Sequence, residues 1–216
     1  VPMDDKIAVG EKWQYFTAGV VVLGDVINKS VPGGLDRYSA EKLFRPLGIT
    51  KYQWQYTPQK VPNTAGGLRM SALDFAKYGQ LYRNGGTWNG RRILSEAWVR
   101  ESVEPRFLLG TQIPAPNVVR SEANYGYLWW STQYRYQGRV IRAHHASGNG
   151  GQYAMFIPEL GLVIAAWGGN YADPGWYQHP AGTVAGLASA EALRRDGIDL
   201  TREVWEAIQV WPDAPR

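Results

Sequence analysis

The second half of the sequence is a series of short aromatic and β-branched runs separated by turn residues, and this pattern restricts the fold more than any other feature. The runs begin at Tyr125 with Tyr-Gly-Tyr-Leu-Trp-Trp. Gln137-Gly138 and residues 158–161 each predict a hairpin turn between two such runs. Neighbouring strands joined by tight turns must be antiparallel. The predicted strands cover residues 132–136, 139–143, 153–157 and 162–167.

The first half has helical periodicity instead. The clearest helix covers residues 71–84, where Ser71 is a suitable N-cap and Asp74 follows three residues later, as in a capping box. Gly85-Gly86 ends this helix. The remaining predictions are helices at 38–44, 95–103 and 183–195, and surface loops at 50–67 and 105–124.

Residues 17–27 allow two interpretations. A helix with Thr17 as N-cap places five apolar residues on one face, because their spacing follows the helical period. The consecutive β-branched residues 20–22 favour a strand instead. The five residues of the helical face are Ala18, Val22, Leu23, Val26 and Ile27.

The order of these elements predicts an α+β fold, because helices come first and the antiparallel strands follow as a block. We predict a mainly helical part at residues 1–124. An antiparallel sheet and a closing helix are predicted for residues 125–216.

Composition excludes several classes of function. The chain has 216 residues, of which 44% are hydrophobic and 19% charged, as in a packed globular protein. It has no cysteine, so thiolate catalysis and cysteine metal sites are excluded, and three histidines without suitably placed carboxylates predict no metal site. The net charge of +4 without a basic run predicts no nucleic-acid partner, and no apolar run is long enough to predict a membrane span. The compartment is left open between periplasm and cytoplasm, and no cofactor is predicted.

Residues 144–152, His-His-Ala-Ser-Gly-Asn-Gly-Gly-Gln, lie between two of the predicted strands. Glycines at this position are typical of a hairpin turn. Small residues at the edge of a sheet also let a substrate approach the backbone, whose N–H groups can then face an oxyanion. Both interpretations stay open on the sequence alone.

Four blocks of the sequence, in order, resemble the serine β-lactamase-like hydrolases. These include class C β-lactamases, related esterases, penicillin-binding D,D-peptidases and 6-aminohexanoate-oligomer hydrolases. The blocks resemble the family's Tyr-x-Asn, Pro-Leu-Gly, Gly-Gly-Leu and Lys-Thr-Gly regions. They lie at residues 13–24, 41–49, 65–74 and 146–159.

This resemblance implies a β-lactamase/transpeptidase-like fold and acyl transfer through a serine ester. The family's nucleophile comes from a Ser-x-x-Lys motif that precedes its catalytic tyrosine. The only such motif here is Ser39 with Lys42, which follows Tyr15. We therefore expect that the N-terminal portion of the fold, with the nucleophile, is missing from these residues, and keep Ser39 and Lys42 as a weak alternative.

The resemblance assigns the family's proton-transfer role to Tyr15. Thr17 stands where the family often has Asn, and Ala146 stands where β-lactamases have the Lys of Lys-Thr-Gly. A hydroxyl bonds less than an amide, and an alanine cannot bind a substrate carboxylate. These departures favour an esterase or amide hydrolase over a β-lactamase.

The remaining candidate site residues lie in the Gly-rich stretch. His145 could supply the donor that Ala146 lacks, and Ser147 and Gly148 match the last two residues of Lys-Thr-Gly. The backbone near Asn149 would supply one oxyanion donor. Gln152 either points into the cleft or bonds to a strand neighbour.

Three functions remain possible. The first is the C-terminal segment of a serine hydrolase that acts on a small ester or amide. The second is a catalytically silent binding or scaffold module of the same fold. The third, for which exposed coplanar rings would be the sign, is a carbohydrate-binding surface. For the hydrolase we expect a partner, the N-terminal polypeptide of the same precursor, to cover the open sheet edge, or self-association to do so.

Overall fold

The computed structural model divides the chain into two compact units, residues 1–70 and 71–216. The predicted boundary after residue 124 stays a prediction and lies inside the second unit. The predicted turn at 137–138 and helix at 183–195 lie outside the described residues. The structure describes residues 8, 10–108, 119–136, 139–150 and 152–167, without the side chains of 108, 119–123, 134–136 and 139.

The first helix of the first unit, α1, spans Thr17–Ser30, which decides between helix and strand for this segment. Its N-cap is Phe16, whose extended backbone (φ −137°) precedes the first helical residue and whose carbonyl accepts from Gly19 N at 3.1 Å. Thr17 is already helical, one position too late for its side chain to cap the helix, so the predicted N-cap was wrong.

One side of α1 packs within its own unit. Gly24 is buried, and a Cβ at this position would overlap the Thr64 hydroxyl. That hydroxyl donates to the carbonyl of Val20 at 2.7 Å. Near the other end of the helix, the Asn28 side-chain oxygen accepts from Leu35 N at 2.8 Å. The inward side of α1 is therefore set by a small residue and two side-chain hydrogen bonds.

The rest of the first unit surrounds a small core. Helix α2 (Gly34–Ser39) continues into a π-helical turn (Ala40–Phe44), so the helix begins earlier than the predicted residue 38. Strands β1 (Tyr52–Trp54) and β2 (Leu68–Met70) pair antiparallel. The prediction of a loop at 50–67 was therefore wrong for β1, which is only three residues long. The core residues are Ala40, Phe44, Leu47, Ile49 and Val61.

The second unit is built on a six-stranded antiparallel sheet with the strand order β10-β9-β8-β7-β6-β5. The predicted loop at 105–124 contains β5 and most of β6, so this prediction was wrong there. Residues 119–124 contain only two apolar residues, Val119 and Ala123, which are too few to predict a strand, and the structure pairs this segment with β7. The strands are β5 (Phe107–Leu108), β6 (Val119–Tyr125), β7 (Trp130–Tyr136), β8 (Arg139–Gly148), β9 (Gln152–Ile157) and β10 (Leu162–Ala166).

Two helices of the second unit begin at serine caps. Helix α3 spans Ala72–Arg83, and the Ser71 hydroxyl accepts from Asp74 N at 3.0 Å. Helix α4 spans Glu96–Val103, and the Ser95 hydroxyl accepts from Trp98 N at 3.1 Å. Both helices were predicted to within a residue at each end. A short hairpin, β3 (Thr87–Trp88) and β4 (Arg91–Arg92), lies between them.

Helix α3 packs against β9 and β10. The approach is close at Gly79, where a Cβ would lie 3.0 Å from Val163 Cγ1. Beside this contact, the aromatic rings of Tyr82, Trp129 and Phe156 form a buried cluster, with centroids 4.6 Å apart for Tyr82 and Trp129 and 5.4 Å for Trp129 and Phe156. Val99 and Val103 complete this cluster from α4.

The antiparallel sheet with packed helices confirms the predicted α+β class. Among the described residues, no helix combines the length and the apolar character that crossing a membrane would need.

Candidate active site

Tyr15 lies in the first unit, two residues before α1 begins. Its side chain is 56% exposed, and its ring contacts Trp13 edge to face with the centroids 6.3 Å apart. The ring therefore stands at the surface of its unit beside the N-terminal end of a helix. Thr17, the residue at the family's Asn position, is exposed in the first turn of the same helix.

Ser39 and Lys42 also lie in the first unit. The Ser39 hydroxyl donates to the carbonyl of Asp36 at 2.9 Å, a local bond within α2. Lys42 is exposed on the π-helical turn. The single hydroxyl proton of Ser39 is thus bound by the backbone, whereas a nucleophilic serine needs a base to accept it.

The other candidate residues lie in the second unit, on β8, in the turn after it and at the start of β9. Successive side chains of a strand point to opposite faces of the sheet. Ala146 packs against the aromatic cluster of Tyr82, Trp129 and Phe156. His145 and Ser147 therefore share the opposite face. The structure brings these two candidates together and separates both of them from the side chain of residue 146.

His145 is buried among aromatic rings on its face of the sheet. Its ring stacks on Tyr153 with the centroids 4.9 Å apart and the planes at 25°, and more distantly on Trp130 at 6.4 Å and 12°. The side chain is only 8% exposed. The plane of the imidazole is therefore nearly parallel to the rings of both neighbours. The side chain of Ser147 lies on the same face of the sheet, two residues further along β8.

The hairpin between β8 and β9 carries the remaining candidates. Gly148 pairs with Gln152, and a Cβ at Gly148 would lie 3.2 Å from the Gln152 Cβ, so a larger residue would crowd this pair. The Gln152 amide donates to the carbonyl of Asn149 at 3.4 Å, which closes the turn locally. Gly150 has φ +85°, a conformation that favours glycine. Residues up to Gly148 form strand and the next two form the turn, so a hairpin turn is present. Strand β8 lies between β7 and β9, so the interpretation as an edge strand was wrong, and a catalytic role for this stretch stays a prediction.

A hydrogen-bonded pair on the other face of β8 was not singled out from the sequence. The Ser131 hydroxyl donates to the carbonyl of Val103 at 3.1 Å and contacts His144 Nδ1 at 2.6 Å. A hydroxyl has one proton, so His144 donates from Nδ1 to Ser131. The imidazole also stacks on Phe156 at 5.0 Å. Ser131 lies on β7 and Val103 is the last residue of α4. The hydrogen bonds of Ser131 thus connect His144 on β8 to the C-terminal end of α4.

Burial, and to a smaller extent the positive charge of Arg142, together lower the pKa of His144 to about 4. The imidazole is therefore neutral at pH 7, which agrees with a single donated hydrogen bond from Nδ1. The signal that could have found this pair is the predicted two-residue turn at 137–138. Counting outward from it pairs residue 136 with 139 and hence Ser131 with His144, as observed.

One surface of the second unit has exposed aromatic rings. Trp98 and Tyr127 are 44% and 41% exposed, and their rings stack with the centroids 5.7 Å apart. The guanidinium of Arg106 lies over the Tyr127 ring at 4.2 Å. The rings are stacked on each other and covered by a cation, so this pair does not form the flat platform on which a sugar ring would lie.

Within the part of the chain that the structure describes, no group of three or more His, Asp or Glu side chains is placed to hold a metal ion.

The Beta-lactamase family model matches residues 3–189. This chain belongs to the serine β-lactamase-like family. The match covers both units, including the exposed Tyr15 in the first and the β8–β9 hairpin in the second. The family consists generally of serine hydrolases. No curated protein matches this chain.

Solved structures of this family have the same fold. A protein described as a 6-aminohexanoate-dimer hydrolase from Bacillus anthracis is 18% identical with a TM-score of 0.67, over 87% of this chain and 45% of its own. An octameric penicillin-binding protein homologue from Pyrococcus abyssi is 20% identical with a TM-score of 0.59, over 91% of this chain and 46% of its own. At these identities the likeness shows the fold alone. This β-lactamase-like chain spans about half the length of each of these proteins.

Proposed function

We propose that this chain is the C-terminal segment of a serine hydrolase that cleaves a small ester or amide through an acyl-serine intermediate. Tyr15 transfers the proton, and Ser147 and Gly148 at the C-terminal end of β8 bind the substrate. The nucleophile and its lysine belong to a Ser-x-x-Lys motif in polypeptide outside these 216 residues. Membership of the family supports the hydrolase class, and the finer assignments rest on the arguments below.

The observation that carries the proposal is the exposure of Tyr15 at the family's tyrosine position. A proton-transfer group must be reachable by the substrate. The ring of Tyr15 is 56% exposed and stands next to the first turn of α1. A tyrosine with this exposure is accessible to a substrate and to a second polypeptide.

The placement of Ser39 supports a nucleophile from elsewhere. Its hydroxyl proton is donated to the Asp36 carbonyl within the helix, as described above. Ser39 is followed by the π-helical turn that leads into the buried Phe44 and Leu47. A hydroxyl bonded to the backbone of its own helix is that of a structural serine.

The side chains of residues 145 and 146, at and beside the position of the family's Lys, favour an ester or amide without a carboxylate anchor. Ala146 packs into the aromatic cluster and brings no positive charge to this position. His145, on the opposite face, is held between Tyr153 and Trp130. Neither side chain has the long flexible ammonium group that would reach a substrate carboxylate.

The proposed reaction has two steps. The serine Oγ bonds to the acyl carbon while its proton passes to the lysine and Tyr15, and the alcohol or amine leaves with a proton returned from Tyr15. Water then attacks the acyl carbon and gives a proton to Tyr15, the bond between the acyl carbon and the serine Oγ breaks, and Tyr15 returns the proton to Oγ as the acid leaves. A backbone N–H near Asn149 stabilises the oxyanion in both steps, together with the N–H of the serine itself.

The test is to label the protein from its native source with a fluorophosphonate probe and to separate the chains under denaturing conditions before intact mass spectrometry. We expect a second polypeptide that contains Ser-x-x-Lys to take the label, while the 216-residue sequence takes none. If the labelled serine lies in an uncleaved precursor, peptide mapping places it outside residues 1–216.

Two results would contradict the proposal. Label on Ser39 would make this chain its own nucleophile. Absence of label on any chain that co-purifies with it, while the same probe labels a serine hydrolase added as a positive control, would favour the catalytically silent module of the same fold.

A further inference from the structure

The end of the second unit's sheet that carries Gly148 also carries a pair of stacked aromatic rings. Ala166 is the last residue of β10 and pairs with Tyr153, so Trp167 follows directly beside Gln152. Gln152 in turn pairs with Gly148 of β8. The backbones of residues 148, 152 and 167 therefore form a row across the end of the sheet, in which residue 167 lies two strand spacings, about 10 Å, from Gly148.

The side chains of this row lie on the face of the sheet that packs against α3. Alternation along β9 places Gln152 on the same face as Phe156, whose ring belongs to the aromatic cluster beside α3. The ring of Trp167 stacks on Phe75 of α3, with the centroids 5.0 Å apart and the planes at 4°. Because Gly148 has no side chain, the side chains of the row are those of Gln152 and Trp167.

The Trp167 indole is held in one orientation and is still accessible. One of its faces lies on Phe75, which is itself half-buried, and Trp167 is 41% exposed. The stacked pair of Trp98 and Tyr127 differs, since the guanidinium of Arg106 lies over its Tyr127 ring. An exposed indole that a second ring supports is preorganised to stack on a flat apolar group of a ligand.

We propose that Trp167, supported by Phe75, determines the specificity for the acyl group of the substrate and selects an acyl group that ends in an aromatic ring. This proposal rests on the proposed function, in which a backbone N–H near Asn149 holds the acyl oxygen. The acyl group stays at the hairpin through both steps, whereas the alcohol or amine leaves after the first. A phenyl ring on a chain of two carbon atoms bridges much of the distance from the hairpin to the indole.

Hydrolysis of four simple esters tests the proposal, with the complex of this chain and the polypeptide that carries Ser-x-x-Lys as the enzyme. Methyl 3-phenylpropanoate carries the aromatic ring, methyl 3-cyclohexylpropanoate carries a ring of similar size that is not flat, and methyl acetate is too short to reach Trp167. The fourth ester, 2-phenylethyl acetate, has the aromatic ring in the leaving group. Chromatography of the released acid gives kcat/KM for each.

We expect the original protein to prefer the phenyl ester to the cyclohexyl ester by about tenfold in kcat/KM, the upper range for a stacked aromatic pair. Trp167→Leu should abolish this preference and leave the rate with methyl acetate unchanged, whereas Trp167→Phe should keep most of it. Phe75→Leu should reduce the preference, because the indole then loses its support.

Trp98→Leu is the matched control, because Trp98 is 44% exposed in the same unit and also stacks on an aromatic ring. This variant should keep the full preference. Circular dichroism and thermal unfolding check that each variant folds, and if Trp167→Leu does not fold, Phe75→Leu provides the same comparison.

Two further readouts separate this proposal from the proposed function: the fluorophosphonate label, and the binding of 3-phenylpropanamide measured by saturation-transfer NMR. A labelled protein whose preference is absent, is unchanged in Trp167→Leu, or follows the ring of 2-phenylethyl acetate overturns the role of Trp167 alone. A protein that takes no label but binds the amide, with binding lost in Trp167→Leu, overturns the catalytic function alone. Neither label nor binding overturns both.

Discussion

At the scale of single residues, two consecutive histidines have different environments because β8 alternates its side chains between the two faces of the sheet. His144 donates to Ser131 on the face that packs against α3 and α4, and His145 stacks on Tyr153 on the other face. A shift of one residue in register would exchange these environments. The candidate substrate-binding residues thus depend on the register of the β7–β8 hairpin.

The lowered pKa of His144 predicts that the unit loses stability in acid. The folded pKa is about 4, against an ordinary value of 6.5, so between these values the unfolded chain binds a proton that the folded chain does not. The free energy of unfolding should fall as the pH falls from 6.5 towards 4, by roughly 3 kcal/mol in total from this group. Urea unfolding at several pH values measures this slope.

His144→Gln is the matched variant for this prediction, because glutamine keeps a donor for Ser131 but does not titrate between pH 4 and 6.5. Its stability should be lower at pH 7 and should change less with pH over that interval. An unchanged slope in the variant would show that His144 is not the group responsible.

Removal of one oxygen atom tests the role of Tyr15. In the complex of this chain with the polypeptide that carries Ser-x-x-Lys, Tyr15→Phe should lower the rate of fluorophosphonate labelling by about 100-fold or more. This is the usual contribution of a proton-transfer group. Tyr38→Phe is the control, since Tyr38 is a partly exposed tyrosine of α2 in the same unit. Equal rates for both variants and the original protein would exclude proton transfer by Tyr15, and unchanged thermal unfolding would show that the fold is intact.

At the scale of elements, the segment from α3 to α4 depends on glycines for two different reasons. Gly86 has φ +89°, and a Cβ there would overlap the Leu94 carbonyl. Gly90, in the β3–β4 turn, has φ +77° but no atom within 4 Å of a Cβ. Position 86 needs glycine both for its backbone conformation and because a side chain has no space there. Position 90 needs glycine for its backbone conformation alone.

These two positions make a matched pair of substitutions. Gly90→Ala should cost about 1–2 kcal/mol of unfolding free energy, because alanine pays for a left-handed conformation. Gly86→Ala should cost more, by roughly another 1–3 kcal/mol, because the backbone must also move to remove the overlap. Chemical denaturation of the two variants measures the difference in unfolding free energy. Equal losses would mean that the backbone near Leu94 moves away from the new Cβ without loss of stability.

At the scale of the whole molecule, each unit has its own buried residues, and the exposed side chains of Val22, Leu23 and Val26 on α1 belong to neither core. In the second unit, Phe156 is 3% exposed and contacts the rings of Tyr82 and Trp129. Val26 on α1 is 54% exposed. The stability of the isolated chain should therefore depend strongly on the first position and weakly on the second.

Alanine substitutions measure this contrast. Phe156→Ala should cost about 3–5 kcal/mol, since it leaves a cavity among packed rings. Val26→Ala should change the unfolding free energy of the isolated chain by less than about 0.5 kcal/mol, as surface substitutions do. A loss at Val26 comparable to that at Phe156 would show that the Val26 side chain is already buried in the isolated chain.

The elements that could be predicted from the sequence are those with a local cause. Ser71 and Ser95 begin helices because a side chain can bond to a backbone N–H three residues later, and this needs no distant contact. The hairpin at 158–161 follows from a Pro and a Gly at the required positions, as observed between β9 and β10. The family resemblance likewise rested on short local blocks, and the match over residues 3–189 confirms it.

Only the tertiary structure decided the features that depend on a partner from elsewhere in the chain. The sequence by itself determined that α1 has an apolar face, but the packing of Thr64 against Gly24 decided that the opposite side points inward. It determined the β7–β8 hairpin, but burial of the imidazole on Phe156 decided that His144 is neutral. The physical reason is that a sequence encodes the period and the caps of an element through nearby atoms, whereas burial depends on which distant atoms replace water.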